Sequence, residues 1–126
     1  MSKKNIISTP NAPAAIGPYS QAVQHGDTIY VSGQLPLNPE TKEMDDDVSV
    51  QTEQSMNNIK AILKEAGSSM EQVVRCGIFV TDLADFAAIN DMYASFFTGN
   101  YPARATVQVA ALPLGAKVEI DAIAMA

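Results

Sequence analysis

The chain has 126 residues, 47% of them hydrophobic, with eight Lys and Arg against 14 Asp and Glu and a formal net charge of −6. That size and balance describe one folded domain, residues 1–126, with a single core, and exclude a disordered chain. Scattered basic residues on an acidic chain argue against general nucleic-acid affinity, which needs clustered Lys and Arg to release counterions, and no run of eighteen apolar residues is present to span a membrane. Met1-Ser2-Lys3-Lys4 is basic, but no apolar stretch follows it, so a secretory signal is not expected. The single cysteine, Cys76, cannot close an internal disulfide and fits a reducing, cytoplasmic setting.

In chain order, Asn5-Ile6-Ile7 is a short strand candidate. Residues 9–18 hold three prolines and one glycine and read as a fixed extended loop. Ala22-Val23-Gln24-His25 and Thr28-Ile29-Tyr30-Val31-Ser32-Gly33 flank Gly26-Asp27, a two-residue hairpin signal. Residues 35–47 carry two prolines and an acidic run and read as loop. Ser49 is the predicted N-cap of a helix ending near Ala66, with Gly67 at C′ and Met56, Ile59, Leu63 and Ala66 as its buried stripe. A strand is predicted over residues 73–81. Asp85 is the predicted cap of a second helix running to about Phe97, with Phe86, Ile89, Tyr93 and Phe96 or Phe97 inward.

Two strands close the chain. In Tyr101-Pro102-Ala103-Arg104-Ala105-Thr106-Val107-Gln108-Val109, Pro102 suits a strand start, and Arg104, Thr106 and Gln108 share one face opposite Val107 and Val109. The last strand, Lys117-Val118-Glu119-Ile120-Asp121-Ala122-Ile123-Ala124-Met125, carries Glu119 and Asp121 on one face. Read as a hairpin, the pair presents an anion clamp and two carboxylates on a common surface. An arginine fork matches a carboxylate two bonds at a time, and a neighbouring carboxylate can hold water. A surface ion pair between Arg104 and Glu119 or Asp121 is the plainer alternative. If residues 112–115 form a tight loop, Gln108 opposes Glu119 and Thr106 opposes Asp121. Arg104 then lies roughly 13 Å from Glu119 at the usual strand rise, which makes Asp121 a rival holder of the water.

The order hairpin, helix, strand, helix, hairpin predicts a two-layer α+β domain with both helices on one face of a mixed sheet. Its other face keeps enough apolar surface to predict an oligomer. Among the remaining polar groups, one histidine, His25, and one cysteine give no metal-ligand spacing, and there is no phosphate loop or dinucleotide fingerprint, so neither metal nor cofactor is expected. Asp45-Asp46-Asp47 reads as solvated loop and helix-dipole charge. Mid-strand Cys76 reads as a buried small hydrophobe.

Ala15-Ile16-Gly17-Pro18-Tyr19-Ser20-Gln21-Ala22, Tyr30-Val31-Ser32-Gly33-Gln34, Asn57-Asn58-Ile59-Lys60-Ala61-Ile62-Leu63, Ile78-Phe79-Val80-Thr81-Asp82-Leu83, Phe86-Ala87-Ala88-Ile89-Asn90, Tyr101-Pro102-Ala103-Arg104 and Val118-Glu119-Ile120 follow one another in the order of a known pattern. Together they resemble the reactive intermediate deaminase (Rid) family over nearly the whole chain. The resemblance implies a chorismate-mutase-like domain in a homotrimer around a central barrel, with sites in the clefts between subunits. It implies hydrolysis of 2-imino and 2-enamino acids, such as 2-iminobutanoate and 2-iminopropanoate, to 2-oxo acids and ammonia. By the same resemblance Arg104 binds the substrate carboxylate and Glu119 holds the water. Tyr19, Ser32, Gly33, Asn90 and Thr106 line the site. Thr106 stands where many members have cysteine, so a thiol nucleophile at that position is ruled out. The alternatives are a regulatory module that binds 2-oxo acids, and a ribonuclease, against which the net charge weighs.

Overall fold

A computed structural model describes residues 3–126; Met1 and Ser2, part of the basic start noted above, lie outside the described residues. The strands are β1 (Asn5–Ile7), β2 (Ala22–His25), β3 (Thr28–Gln34), β4 (Val73–Val80), β5 (Ala103–Gln108) and β6 (Val118–Met125). The helices are α1 (Val48–Glu65) and α2 (Phe86–Ala94). They form one six-stranded mixed sheet in the order β1-β2-β3-β6-β4-β5. The predicted α+β class, the first hairpin and the helix crossovers are all present. β4 and β5, joined through α2, pair in parallel, while β6 runs antiparallel to both of its neighbours, β3 and β4.

The predicted C-terminal hairpin is not formed: β4 lies between β5 and β6. Composition explains the order. β6 offers Val118, Ile120, Ala122 and Ala124 to the core, all buried, and so occupies a central slot paired on both edges. β5 presents Arg104, Thr106 and Gln108 on that same side and sits at the sheet edge. Between them the chain turns through Pro113–Gly115, where Leu114 and Gly115 take φ of 61° and 74°.

Helix α1 is capped two residues earlier than predicted. Asp47, not Ser49, is the N-cap, and its carboxylate accepts the Val50 N–H at 3.0 Å. At the other end Gly67, at φ 78°, donates to the Lys64 carbonyl and Ser68 to the Leu63 carbonyl, at 3.0 and 2.8 Å. This paired closure is open to a glycine at C′ without steric cost. Met56, Ile59, Ile62 and Leu63 of α1 are fully buried against Ile29, Ile78, Val118 and Ile120 of the sheet. Ile89 and Tyr93 of α2 join the same core, but Phe86 is 38% exposed rather than inward. It faces a polar part of β5, as described below.

The loop before β2 is tied down by one buried side chain. Gln21 accepts the Thr9 N–H at 2.7 Å and donates to the carbonyls of Thr9, Ala12 and Pro13 at 3.1, 3.2 and 2.8 Å. Proline-interrupted backbone cannot satisfy its own carbonyls within a helix or sheet, so a side-chain amide does so. Gln21→Ala is expected to lower stability by about 2–3 kcal/mol, because it leaves buried backbone groups unpaired. Urea denaturation measures this, and a loss under about 0.5 kcal/mol, the scale of an ordinary surface change, would show that the loop is held by other contacts.

Candidate active site

Arg104 is positioned by α2. Phe86, Asn90 and Tyr93 recur at helical spacing and so share a side of that helix. The Arg104 Nη1 donates to Asn90 Oδ1 at 2.6 Å, and the guanidinium lies 5.0 Å from the Tyr93 ring centroid and 5.6 Å from that of Phe86. These partners are neutral. They orient the cation and leave other N–H donors of its fork for a ligand, while the ring faces attract its charge. Asn90, Tyr93, Ala94, Tyr101, Pro102 and Arg104 line a cleft of about 390 Å³. Thr106 lies on the same sheet side, and its hydroxyl is buried without a hydrogen-bond partner.

Glu119 stands elsewhere. The ladder aligns Arg104 with Cys76 and Ala122, and Thr106 with Ile78 and Ile120, which places the arginine on the helix-covered side. Glu119 aligns with Phe79, and Asp121 with Gly77, on the open side. The two faces were predicted to coincide; within one chain they are opposite, so neither carboxylate can pair with Arg104 across a hairpin. Glu119 packs over Gly33, where a Cβ would come within 3.0 Å of the carboxyl carbon. A side chain at this position would crowd the carboxylate and make it shift by a few tenths of an ångström. Burial, reinforced by the charge of Asp121, pushes the Glu119 carboxyl above the usual carboxylate range.

Ser32 precedes Gly33 on β3 and is tied to the loop that carries Tyr19. The Ser32 hydroxyl donates to the Ser20 carbonyl at 2.6 Å, and its N–H to the Gln21 carbonyl at 2.9 Å, which ties β3 to the loop carrying Tyr19. Tyr19 is half exposed and lines a separate groove of about 870 Å³ beside Ile16, Leu37 and Lys42. The predicted site residues therefore fall into two groups. Asn90, Arg104 and Thr106 lie on the α2 side; Ser32, Gly33 and Glu119 lie on β3 and β6, with Tyr19 in the loop that Ser32 ties to β3. Sequence reading missed the two rings on Arg104 and the cleft wall at Tyr101 and Pro102. The i, i+4, i+7 spacing of Phe86, Asn90 and Tyr93 carried the signal, but the aromatic members were assigned wholly to the core.

Residues 9–126 match the sequence profile of the family described as Endoribonuclease L-PSP. The chain belongs to this family, the Rid proteins. It is 56% identical over 125 residues to Protein DfrA of Myxococcus xanthus, covering 97% of this chain and 95% of the relative. It is 50% identical over 122 residues to the 2-iminobutanoate/2-iminopropanoate deaminase of Escherichia coli K12, covering 94% and 95%. The crystal structure of E. coli TdcF with bound serine superposes with a TM-score of 0.94 at 46% identity, over 97% of this chain and 98% of that one. Among the described residues of this Rid chain, no group of three or more His, Cys, Asp or Glu is placed to hold a metal ion, and no helix is long and apolar enough to cross a membrane.

Cys76 is fully buried on β4, and burial pushes its thiol up to about 11. A protonated, enclosed thiol is a poor nucleophile. Cys76→Ser is expected to change the reaction rate less than severalfold, and the native thiol to resist alkylation until the protein is unfolded. Rapid labelling of the folded protein with parallel loss of activity would contradict both expectations.

Proposed function

We propose that the protein is a cytoplasmic, cofactor-independent deaminase that hydrolyses 2-imino acids, and their enamine tautomers, to 2-oxo acids and ammonia. 2-Iminobutanoate and 2-iminopropanoate are the expected substrates, in keeping with the names of relatives near 50% identity. The observation that carries the reading is Arg104, a cation held by a neutral amide and two aromatic rings at the wall of a cleft of ligand size. Its free donors receive the substrate carboxylate. Asn90 fixes the fork, and Thr106, beside it on the edge strand, contributes to the same end of the site.

Glu119 holds the water. It takes a proton as the water oxygen bonds to C2 and passes that proton to the imine nitrogen, giving a neutral carbinolamine. Glu119 then takes the carbinolamine hydroxyl proton and delivers it to the amino nitrogen as the C–N bond breaks, so that the 2-oxo acid and ammonia are released and Glu119 returns to its starting form. Because imines already react slowly with water, positioning and charge matching supply the acceleration. Tyr19, Ser32 and Gly33 line the end of the site occupied by Glu119.

Since Arg104 and Glu119 lie on opposite faces of one sheet, the reading requires two copies per site. A homotrimer meets this, with open faces packed around a common axis and each cleft taking Arg104 from one subunit and Glu119 from the next. The open face carries Tyr30, Val107 and Met125, each about half exposed, as apolar surface for that packing. Two measurements test the reading. Light scattering is expected to give three times 13.4 kDa, and a stable monomer at micromolar concentration would remove the shared site. With 2-iminobutanoate generated in situ, the protein is expected to speed loss of the imine. Unchanged decay, with retained binding of a 2-oxo acid, would make the protein a metabolite-binding module instead.

A further inference from the structure

Asp121 has two properties that an ordinary solvated strand carboxylate lacks. Its Oδ1 accepts the Gly77 N–H at 2.8 Å. It also occupies room that exists only because residue 77 has no side chain: a Cβ there would lie 2.5 Å from that oxygen. The backbone of Gly77 is not in the left-handed region, so space and not conformation calls for glycine. The carboxylate is thus laid across β4 and held by a charge-assisted hydrogen bond.

Its neighbour along β6 on the same face is Glu119, two residues away and therefore about 7 Å along the strand. Glu119 is likewise seated over a glycine, Gly33 of β3. On the flanking strands the residues facing this pair are Phe79 and Gly77 of β4, with Arg75 a further two residues along, and Gly33 of β3, with Tyr30 towards the far end. Both helices pack against the other side of the sheet. Lys117, two residues to the other side of Glu119, is engaged elsewhere, its ammonium donating to the Asp46 carbonyl at 2.6 Å, and Asp121 is the charge that acts on Glu119.

We propose that Asp121, pinned to the Gly77 amide, is a positioning residue that keeps a fixed negative charge beside Glu119 and so strengthens Glu119 as the acceptor of the water proton. The proposal rests on the assignment of Glu119 as water holder. Burial is the main cause that lifts the Glu119 carboxyl above an ordinary glutamate, and the like charge of Asp121 acts in the same direction, favouring the protonated form. A more basic Glu119 removes a proton from water more readily and retains it for the departing nitrogen. Asp121 itself touches neither water nor substrate in this scheme.

The test uses the whole protein with 13C-labelled glutamate carboxyls, the Glu119 signal being identified by its loss in Glu119→Gln. Asp121→Asn keeps an oxygen for the Gly77 amide but removes the charge. Its Glu119 titration midpoint is expected to move to lower pH, and the acid limb of kcat/KM to move with it. On the plateau kcat should fall severalfold with KM little changed. Asp121→Glu, which restores the charge, should return the midpoint towards that of the unaltered protein and guards against a folding defect in the asparagine variant. An unmoved Glu119 midpoint in Asp121→Asn, alongside an inactive Glu119→Gln, would overturn the Asp121 assignment alone. Full activity in Glu119→Gln would overturn that assignment together with the water-holding role on which it rests.

Discussion

Arg104→Lys is expected to lower imine hydrolysis by roughly 30- to 150-fold. Lysine keeps the charge but not the planar fork, and a charge-assisted bidentate contact is worth about 2–3 kcal/mol. The local geometry adds to the loss. A guanidinium can donate to Asn90 and lie against the Tyr93 and Phe86 rings while still presenting donors outward. An ammonium is a point donor at the end of a flexible stem and cannot do all three at once. Steady-state kinetics on 2-iminobutanoate measure the effect, and a loss below about threefold, well under that range, would show that the arginine is structural.

Mixing two dead proteins should restore activity. Arg104→Ala lacks the carboxylate contact and Glu119→Gln lacks the base, so each alone is expected to be nearly inactive. If each site takes Arg104 from one subunit and Glu119 from the next, some sites in mixed trimers are built from two intact contributions. With random assembly from equal amounts, about a quarter of sites combine an intact Arg104 with an intact Glu119, so activity should recover to about a quarter of the unaltered level after subunit exchange. Sites confined to single chains would give no recovery at any mixing ratio. This separates the shared site from a simple loss of folding, because a variant that fails to fold cannot complement another.

Local signals located most elements in the sequence. The Gly26-Asp27 turn, the α1 stripe and the glycine at its C-terminus are each set by residues within a few positions of one another, and the structure places them accordingly. Strand order was not legible, since period-2 alternation says which residues share a face of one strand but not which strand comes next. The error at the C-terminus has a definite form. A tight hairpin aligns Gln108 with Glu119, whereas the ladder through β4 aligns Gln108 with Val118. That one-residue difference turns every side chain of one strand to the opposite face relative to the other. It separates Arg104 from both carboxylates, and it brings Arg104 to Asn90, a neighbour that no reading of the two end strands alone could provide. Family resemblance selected candidate residues, but only the sheet order divides them into two groups.

The central place of β6 has a consequence for how the chain is made. Synthesis delivers β1 to β3, then α1, β4, α2 and β5, and only after all of these β6, the strand that joins the two halves of the sheet. Until β6 has emerged, the inner edges of β3 and β4 have no partner, and the apolar residues beneath α1 are incompletely covered. Nascent chains stalled before Val118 should therefore be chaperone clients sensitive to protease, and loss of residues 118–126 should do far more harm than loss of β1 at the edge of the sheet.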